Sequence, residues 1–396
     1  MQQRIVRTPD AASFLGLVPT LVGMQPEESL VLVVFRGKRT CGALRLDLPY
    51  LHGDVALKRF TNTVTGMVCR VQDADGLVPI VYTRAPFRAA PRALLRRVAT
   101  RARTAGLDVK DVLIVAGDAW ASLLDPDAPP DGRPLAQITP TVLDGEPALL
   151  DAAAELRLPA VTVRDVGTFA GHVARWEGSA DGVGAPVHGF DPSAGLRGRA
   201  FGRAAVPAKP FLERVVDGLD VGPVLEGMLE CHEGPGPCPC LALLAVMARA
   251  PVLRDLAMLQ FAWGPEFGAH VRDRTLLEPS EPLGVNEPVT LAFRGGDMPR
   301  PDQHRIGAAL ATVKLALAHV PLDERAPLSA MAGWLHWALG HGTIASAFAD
   351  RAAAVDPGYP FARLLRAMLA SATLPEWAFR EEPLGEAGRA WLRPPA

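Results

Sequence analysis

The chain has 396 residues, of which 49% are hydrophobic and 21% charged, with a formal net charge of -2. That length exceeds what one hydrophobic core usually supports and predicts two or three domains. The near-neutral balance excludes a polyanion-binding role for the molecule as a whole and confines any such role to a local patch. Five cysteines, an odd number in a large chain, argue against a disulfide framework and for a reducing, cytoplasmic setting. The opening MQQRIVRTPD lacks the apolar core of a signal peptide, and no uninterrupted apolar run reaches the roughly 18 residues of a membrane span, so no membrane role is expected.

Taken in order, Pro9-Asp10 caps a short apolar helix over 11–17, which Pro19, Gly23 and Pro26 break up. LVLVVF, residues 30–35, is a continuous apolar run suited to a strand covered on both faces. A polar turn follows it, and residues 41–48 complete a hairpin. Apolar positions recur at helical spacing over 53–71, and an aspartate, Asp54, sits near the start. LVPIVYT, residues 77–83, is a strand whose Pro79 hints at a bulge or an irregular first turn. Residues 91–105 form a basic amphipathic helix ending at Gly106, and VLIVAGD, residues 112–118, is a buried strand.

This alternation after an initial hairpin predicts an α/β domain with a mixed sheet, a hairpin followed by βαβαβ, in which the strands at 41–48, 77–83 and 112–118 run parallel. Residues 125–135 form a surface excursion rich in proline and aspartate. A helix is expected over 147–158 and a last strand in AVTVRDV, residues 160–166, so the α/β domain is assigned to 1–170. Residues 171–210 are a Gly/Pro-rich linker or loop.

Residues 211–396 read as an all-α domain. Helices are predicted over 210–219, 223–231, 239–250, 252–263, 303–320, 328–339, 343–355 and 361–371, with a terminal stretch near Pro375. Ala345, Ala349, Ala352 and Pro357 have the spacing of the second helix of a tetratricopeptide unit, although Gly340-His341-Gly342 closes the hairpin early for a true repeat. A stack of helical hairpins is the expected arrangement.

LVPTLVGMQPEESLVLVVFRG followed by RLDLP resembles the opening of the domain of unknown function 4192 family, and residues 331–369 resemble its close. The resemblance implies a soluble bacterial protein and carries no assigned activity.

Three features offer chemistry. Parallel strands would bring their carboxyl ends to one rim, where open α/β sheets bind ligands. That rim would hold Arg45, Asp47, Thr83, Arg84, Arg88, Gly117, Asp118 and Trp120, a set suited to an anion or a hydrated cation, with Trp120 covering a planar group. Arg45 and Asp47, two apart on one strand face, suit a structural ion pair equally well, and Asp118 a turn cap.

The second feature is the basic helix. Arg92, Arg96 and Arg103 share a face that could contact phosphates, the one route to nucleic acid, or could be an ordinary solvated face. GLRGRAFGR, residues 195–203, repeats the basic theme in a charged linker. The third is CHEGPGPCPC, where Cys231, His232, Cys238 and Cys240 are ligands of the kind zinc prefers, at spacings unlike those of standard zinc knuckles.

No phosphate-binding loop, dinucleotide fingerprint, nucleophile elbow, zinc-protease or kinase motif occurs, and no cofactor is implied. The expectation is a binding or regulatory protein, with a helical domain that recognises a protein segment and an α/β domain that senses a small anion. The alternative is an enzyme acting on a phosphate-containing or nucleotide-like substrate. In it, Asp47 and Asp118 would hold a metal ion or act as base, and Arg45, Arg84 and Arg88 would clamp the anion.

Overall fold

The most apolar segment of the N-terminal half becomes the central strand of a mixed sheet. In the computed structural model, which describes residues 8–49, 53–141, 149–178, 221–233, 236–277, 283–371 and 374–379, β1 (Ser29–Arg36) has Leu30 to Val34 fully buried. A strand so apolar on both faces satisfies its two rows of backbone groups only by taking a neighbour on each edge.

β2 (Arg39–Asp47) folds back on one edge through a tight turn, with Gly37 at φ 60°. β3 (Gly76–Tyr82) lies antiparallel on the other. β4 (Asp108–Val109) and β5 (Leu113–Val115) then pair parallel with β3, and β6 (Trp120–Ser122) pairs antiparallel with β5, giving the order β2-β1-β3-β5-β6 with β4 beside β3. β2, β3 and β5 do run in one direction, as expected, but β1 lies between β2 and β3.

Pro79 causes no bulge. It pairs in register with Leu32, and its missing N–H falls where β4 has ended at Leu77 and β5 has not begun at Ile80, so no ladder bond is lost on that side. The register shift lies instead between Val34 and Phe35, against β2.

One face of the sheet, with Val31, Val33, Val78, Ile80, Tyr82, Leu113 and Trp120, packs on Leu15 and Val18 of α1 (Ala11–Val22). The alternate residues Leu30, Leu32, Leu77 and Val81 are equally buried. They lie on the face taken by α2 (Asp54–Arg70) and α3 (Arg92–Thr104), which pack on each other.

The expectation that Pro19 breaks the first helix is wrong. α1 continues through it to Val22 and ends at Gly23, in the left-handed conformation at φ 73°. Burial of Leu17 and Val18 outweighs one missing helical bond, and residues 139–141 brace the helix: Thr141 N–H bonds the Gly16 carbonyl at 3.0 Å, and Thr20 Oγ1 donates to the Thr141 carbonyl at 3.0 Å. A Cβ on Gly16 would lie 2.0 Å from the Thr139 carbonyl oxygen, so only glycine admits this crossing.

Of the helix expected over 147–158, residues 142–148 lie outside the described residues, and Asp151 caps a single turn, Ala152–Glu155. The strand expected over 160–166 is not there: α4 (Val163–Gly178) starts inside it. Thr162 and Asp165 form a reciprocal cap. The Thr162 hydroxyl accepts the Asp165 N–H at 3.1 Å, and the Asp165 carboxylate accepts from the Thr162 hydroxyl at 2.7 Å. The β-branched residues that suggested a strand include Val163, 91% exposed, so they fill no core.

The chain divides into two compact units, Met1–Glu155 and Leu156–Ala378. The second is helical. After α4 come α5 (Val221–Met228), α6 (Pro239–Ala248), α7 (Pro251–Trp263), α8 (Pro265–Arg272), α9 (Pro288–Arg294), α10 (Gln303–His319), α11 (Ala326–Ala338), α12 (Gly342–Val355) and α13 (Pro360–Ala370). The predicted helix 210–219, the Gly/Pro-rich part of the linker and the basic segment 195–203 lie outside the described residues.

Every residue of α11 is buried, and Trp263, Trp334, Trp337 and Trp377 meet edge-on or tilted around it at centroid separations of 5.3–6.2 Å. α11, α12 and α13 pack pairwise, with Ala345, Ala349 and Ala352 buried in that stack. α11 also packs on α6 and α7, contacts that a linear repeat array does not make. No helix among the described residues is long and apolar enough to cross a membrane.

Candidate functional site

The strand-end rim is crowded with charge, and almost all of it is matched. Because β1 runs against its neighbours, its start brings Glu27 and Glu28 between the ends of β2 and β3. Arg45 pairs with Asp47 at 3.1 Å and donates to the Glu27 carbonyl at 3.0 Å. The Arg84 guanidinium pairs with the Glu27 carboxylate. Glu28 accepts the Arg84 backbone N–H at 2.5 Å and the Thr83 hydroxyl at 3.1 Å. Glu28 does this from a φ of 39°, a left-handed conformation that side-chain-bearing residues adopt at a cost.

Arg88 binds Asp131 through two nitrogens, at 2.8 and 2.6 Å. Asp118 accepts the Phe87 N–H at 2.7 Å, and Gly117 passes so close to the Arg84 carbonyl that a Cβ would come within 2.5 Å of it. Trp120 is 5% exposed and belongs to the core beneath α1, so it covers no surface group; the short turn into β6 swings it under the sheet. Asp131 comes from the proline-rich excursion, which folds back by pairing Arg133 with Trp120. There Arg133 bonds Asp125 at 2.7 Å, holding that carboxyl below its ordinary range. The rim therefore gathers the charged residues that the sequence placed there and neutralises them internally, while Trp120 lies in the core.

A second basic cluster differs. α2 buries Thr61, Val64, Thr65, Met67 and Val68, and α3 buries Leu94, Leu95, Val98, Ala99 and Ala102. Outside this seam the two helices leave an open groove of about 560 Å³. Lys58, Arg96, Arg97 and Arg101 line it together with Thr61, Asn62, Thr100 and Thr104, and no carboxylate lines it. Arg97 is held by Asp54 at 2.6 Å. Lys58, Arg96 and Arg101 have no hydrogen-bond or ion-pair partner among the described residues.

Of the three arginines singled out on this helix, only Arg96 reaches the groove. Arg92 lies over the Phe87 ring at 4.4 Å and donates to the Arg88 carbonyl, and Arg103 is exposed on another strip. Arg97 and Arg101 take their places, because the flank that meets α2 is turned further round the helix. Periodicity gave the buried face of α3; Lys58, one helix away, carried no signal of its own.

In the helical unit, Cys231 begins a one-turn 3-10 helix, Cys231–Glu233, and Cys238 caps α6. Their sulfurs are 2.9 Å apart, while His232 Nδ1 turns to the Thr312 hydroxyl at 3.4 Å. Two thiolates on one tetrahedral zinc stand about 3.8 Å apart, given Zn–S bonds of about 2.3 Å. Among the described residues no group of three or more His, Cys, Asp or Glu side chains is set to hold a metal ion.

Among the described residues, an α/β unit carrying this basic groove is followed by a helical unit. Residues 12–165 match the model of DUF4192, a domain of unknown function. The resemblance seen over residues 331–369 lies outside the matched segment. No curated protein and no solved structure matches the chain.

Proposed function

We propose that this is a non-catalytic binding or regulatory protein whose α/β unit takes a phosphate-bearing ligand in the groove between α2 and α3. The observation that carries the reading is the convergence of four cations on a concave surface lined by no carboxylate, three of them without a partner among the described residues. Guanidinium groups match phosphate geometry and a lysine adds a mobile point charge, while Thr100 and Asn62 supply neutral donors. The helical unit, with its pairwise packed α11 to α13, is the part read as recognising a protein segment. Five free thiols suit a reducing bacterial cytoplasm as its setting.

The enzymatic alternative at the rim has less support. Its two carboxylates are engaged, Asp47 by Arg45 and Asp118 by the Phe87 N–H, and its three arginines are matched by Asp47, Glu27 and Asp131.

The test is thermal denaturation of the full chain at low salt in the presence of inorganic tripolyphosphate. Ligand that binds only the folded state raises the midpoint by mass action. The wild-type chain is expected to be stabilised and the K58E/R96E/R101E variant not. Equal stabilisation of both, or of neither, sinks the reading.

A further inference from the structure

The half-buried thiols of Cys231, Cys238 and Cys240 form a cluster that anion binding does not use. Cys238 is the N-cap of α6: its backbone is extended, at φ -86° and ψ 159°, and its sulfur accepts the Leu241 N–H at 3.3 Å. A sulfur in that position faces the positive end of the helix dipole and unsatisfied N–H groups, the setting in which a thiol ionises most readily. The adjoining Cys231 thiol and then the Cys240 thiol favour the ionised form and hold the Cys238 thiol below its usual range. The same contact with Cys238 keeps the Cys231 proton in place and pushes its thiol up. The Cys238 sulfur, favoured as a thiolate by the helix N-terminus, thus lies 2.9 Å from the Cys231 sulfur.

We propose that Cys238 is a redox-active nucleophile that reacts with hydroperoxides and is resolved by Cys231 as a reversible disulfide. The Cys238 thiolate attacks the terminal oxygen of the hydroperoxide. The O–O bond breaks, the alkoxide or hydroxide leaves and takes a proton from solvent, and Cys238 becomes a sulfenic acid. The Cys231 sulfur then attacks the Cys238 sulfur. The S–O bond breaks, and the departing hydroxide combines with the Cys231 proton as water. Two thiols lose two electrons and the peroxide gains them.

Closure needs the sulfurs to move from 2.9 Å to a bond length of about 2.05 Å. Pro239 fixes the backbone at the first position of α6 between Cys238 and Cys240. The disulfide would tie the turn after α5 to the start of α6, while Cys41 and Cys69, on β2 and α2, serve as internal controls.

The experiment treats the reduced full-length protein with one equivalent of hydrogen peroxide, then counts free thiols in denaturant and maps linked peptides. The expected result is loss of two of the five thiols with a Cys231–Cys238 crosslink, reversed by dithiothreitol. Cys238→Ser should slow thiol loss at least about tenfold, since the thiolate is the attacking form. In C231S/C240S, Cys238 should accumulate as a sulfenic acid trapped by dimedone; this readout decides if Cys238→Ser does not fold by circular dichroism. The proposal is overturned by oxidation of Cys41 or Cys69 at the same rate as Cys238, by undiminished thiol loss in folded Cys238→Ser, by absence of the dimedone adduct, or by stoichiometric zinc in the purified protein.

Discussion

The strand-end rim and the α2–α3 groove are both rich in arginine, and they differ in where the opposite charges are. At the rim the antiparallel entry of β1 delivers Glu27 and Glu28 beside Arg45 and Arg84, and the folded-back excursion delivers Asp131 to Arg88. In the groove Arg97 is taken by Asp54, and Lys58, Arg96 and Arg101 have no hydrogen-bond or ion-pair partner among the described residues. Clustered arginines do not by themselves make a site. A cluster whose Coulomb energy is already satisfied within the fold gains little from an anion, whereas an unsatisfied one gains much.

If the rim is structural, breaking it costs stability. Glu28→Ala removes the acceptor of the Arg84 N–H and the Thr83 hydroxyl while leaving residue 28 in its left-handed conformation. A loss of about 1–3 kcal/mol is expected in urea unfolding, with tripolyphosphate affinity unchanged. A variant as stable as the wild type, or one with altered affinity, removes the distinction between the two regions.

The groove makes the opposite prediction on a smaller scale. Arg97 and Arg101 are like charges one helical turn apart, so Arg101→Gln should stabilise the chain by about 0.2–0.5 kcal/mol, the scale of such pairs, while weakening anion binding. Destabilisation by this substitution in high-precision denaturant titrations would mean that Arg101 has a structural partner.

Much of the α/β unit was legible. Leu30–Phe35 reads as a buried strand because no polar residue interrupts it, and the apolar spacing of 53–71 and 91–105 fixes α2 and α3 within a few residues. Arg45 and Asp47 pair as their spacing allows. Strand partners were less legible: a short β-rich run shows that 77–83 is a strand but not that it takes the free edge of β1. Residues 160–166 form no strand because the Thr162–Asp165 cap, a pattern present in the sequence, starts a helix there. The groove was half visible. Helical periodicity identifies which face of α3 is buried, but which exposed flank meets α2 depends on how two helices cross the sheet. Glu27 and Arg84 are 57 positions apart, and nothing local joins them.

The most direct measurement is isothermal titration of inorganic tripolyphosphate into three full-length proteins at low salt: wild type, K58Q/R96Q/R101Q, and R45Q/R84Q/R88Q. Loss of three charge-assisted contacts should weaken binding on the order of 100-fold or more in the groove variant. The rim variant, provided it is folded, should bind like the wild type. Full affinity in the groove variant with loss in the rim variant would contradict the account.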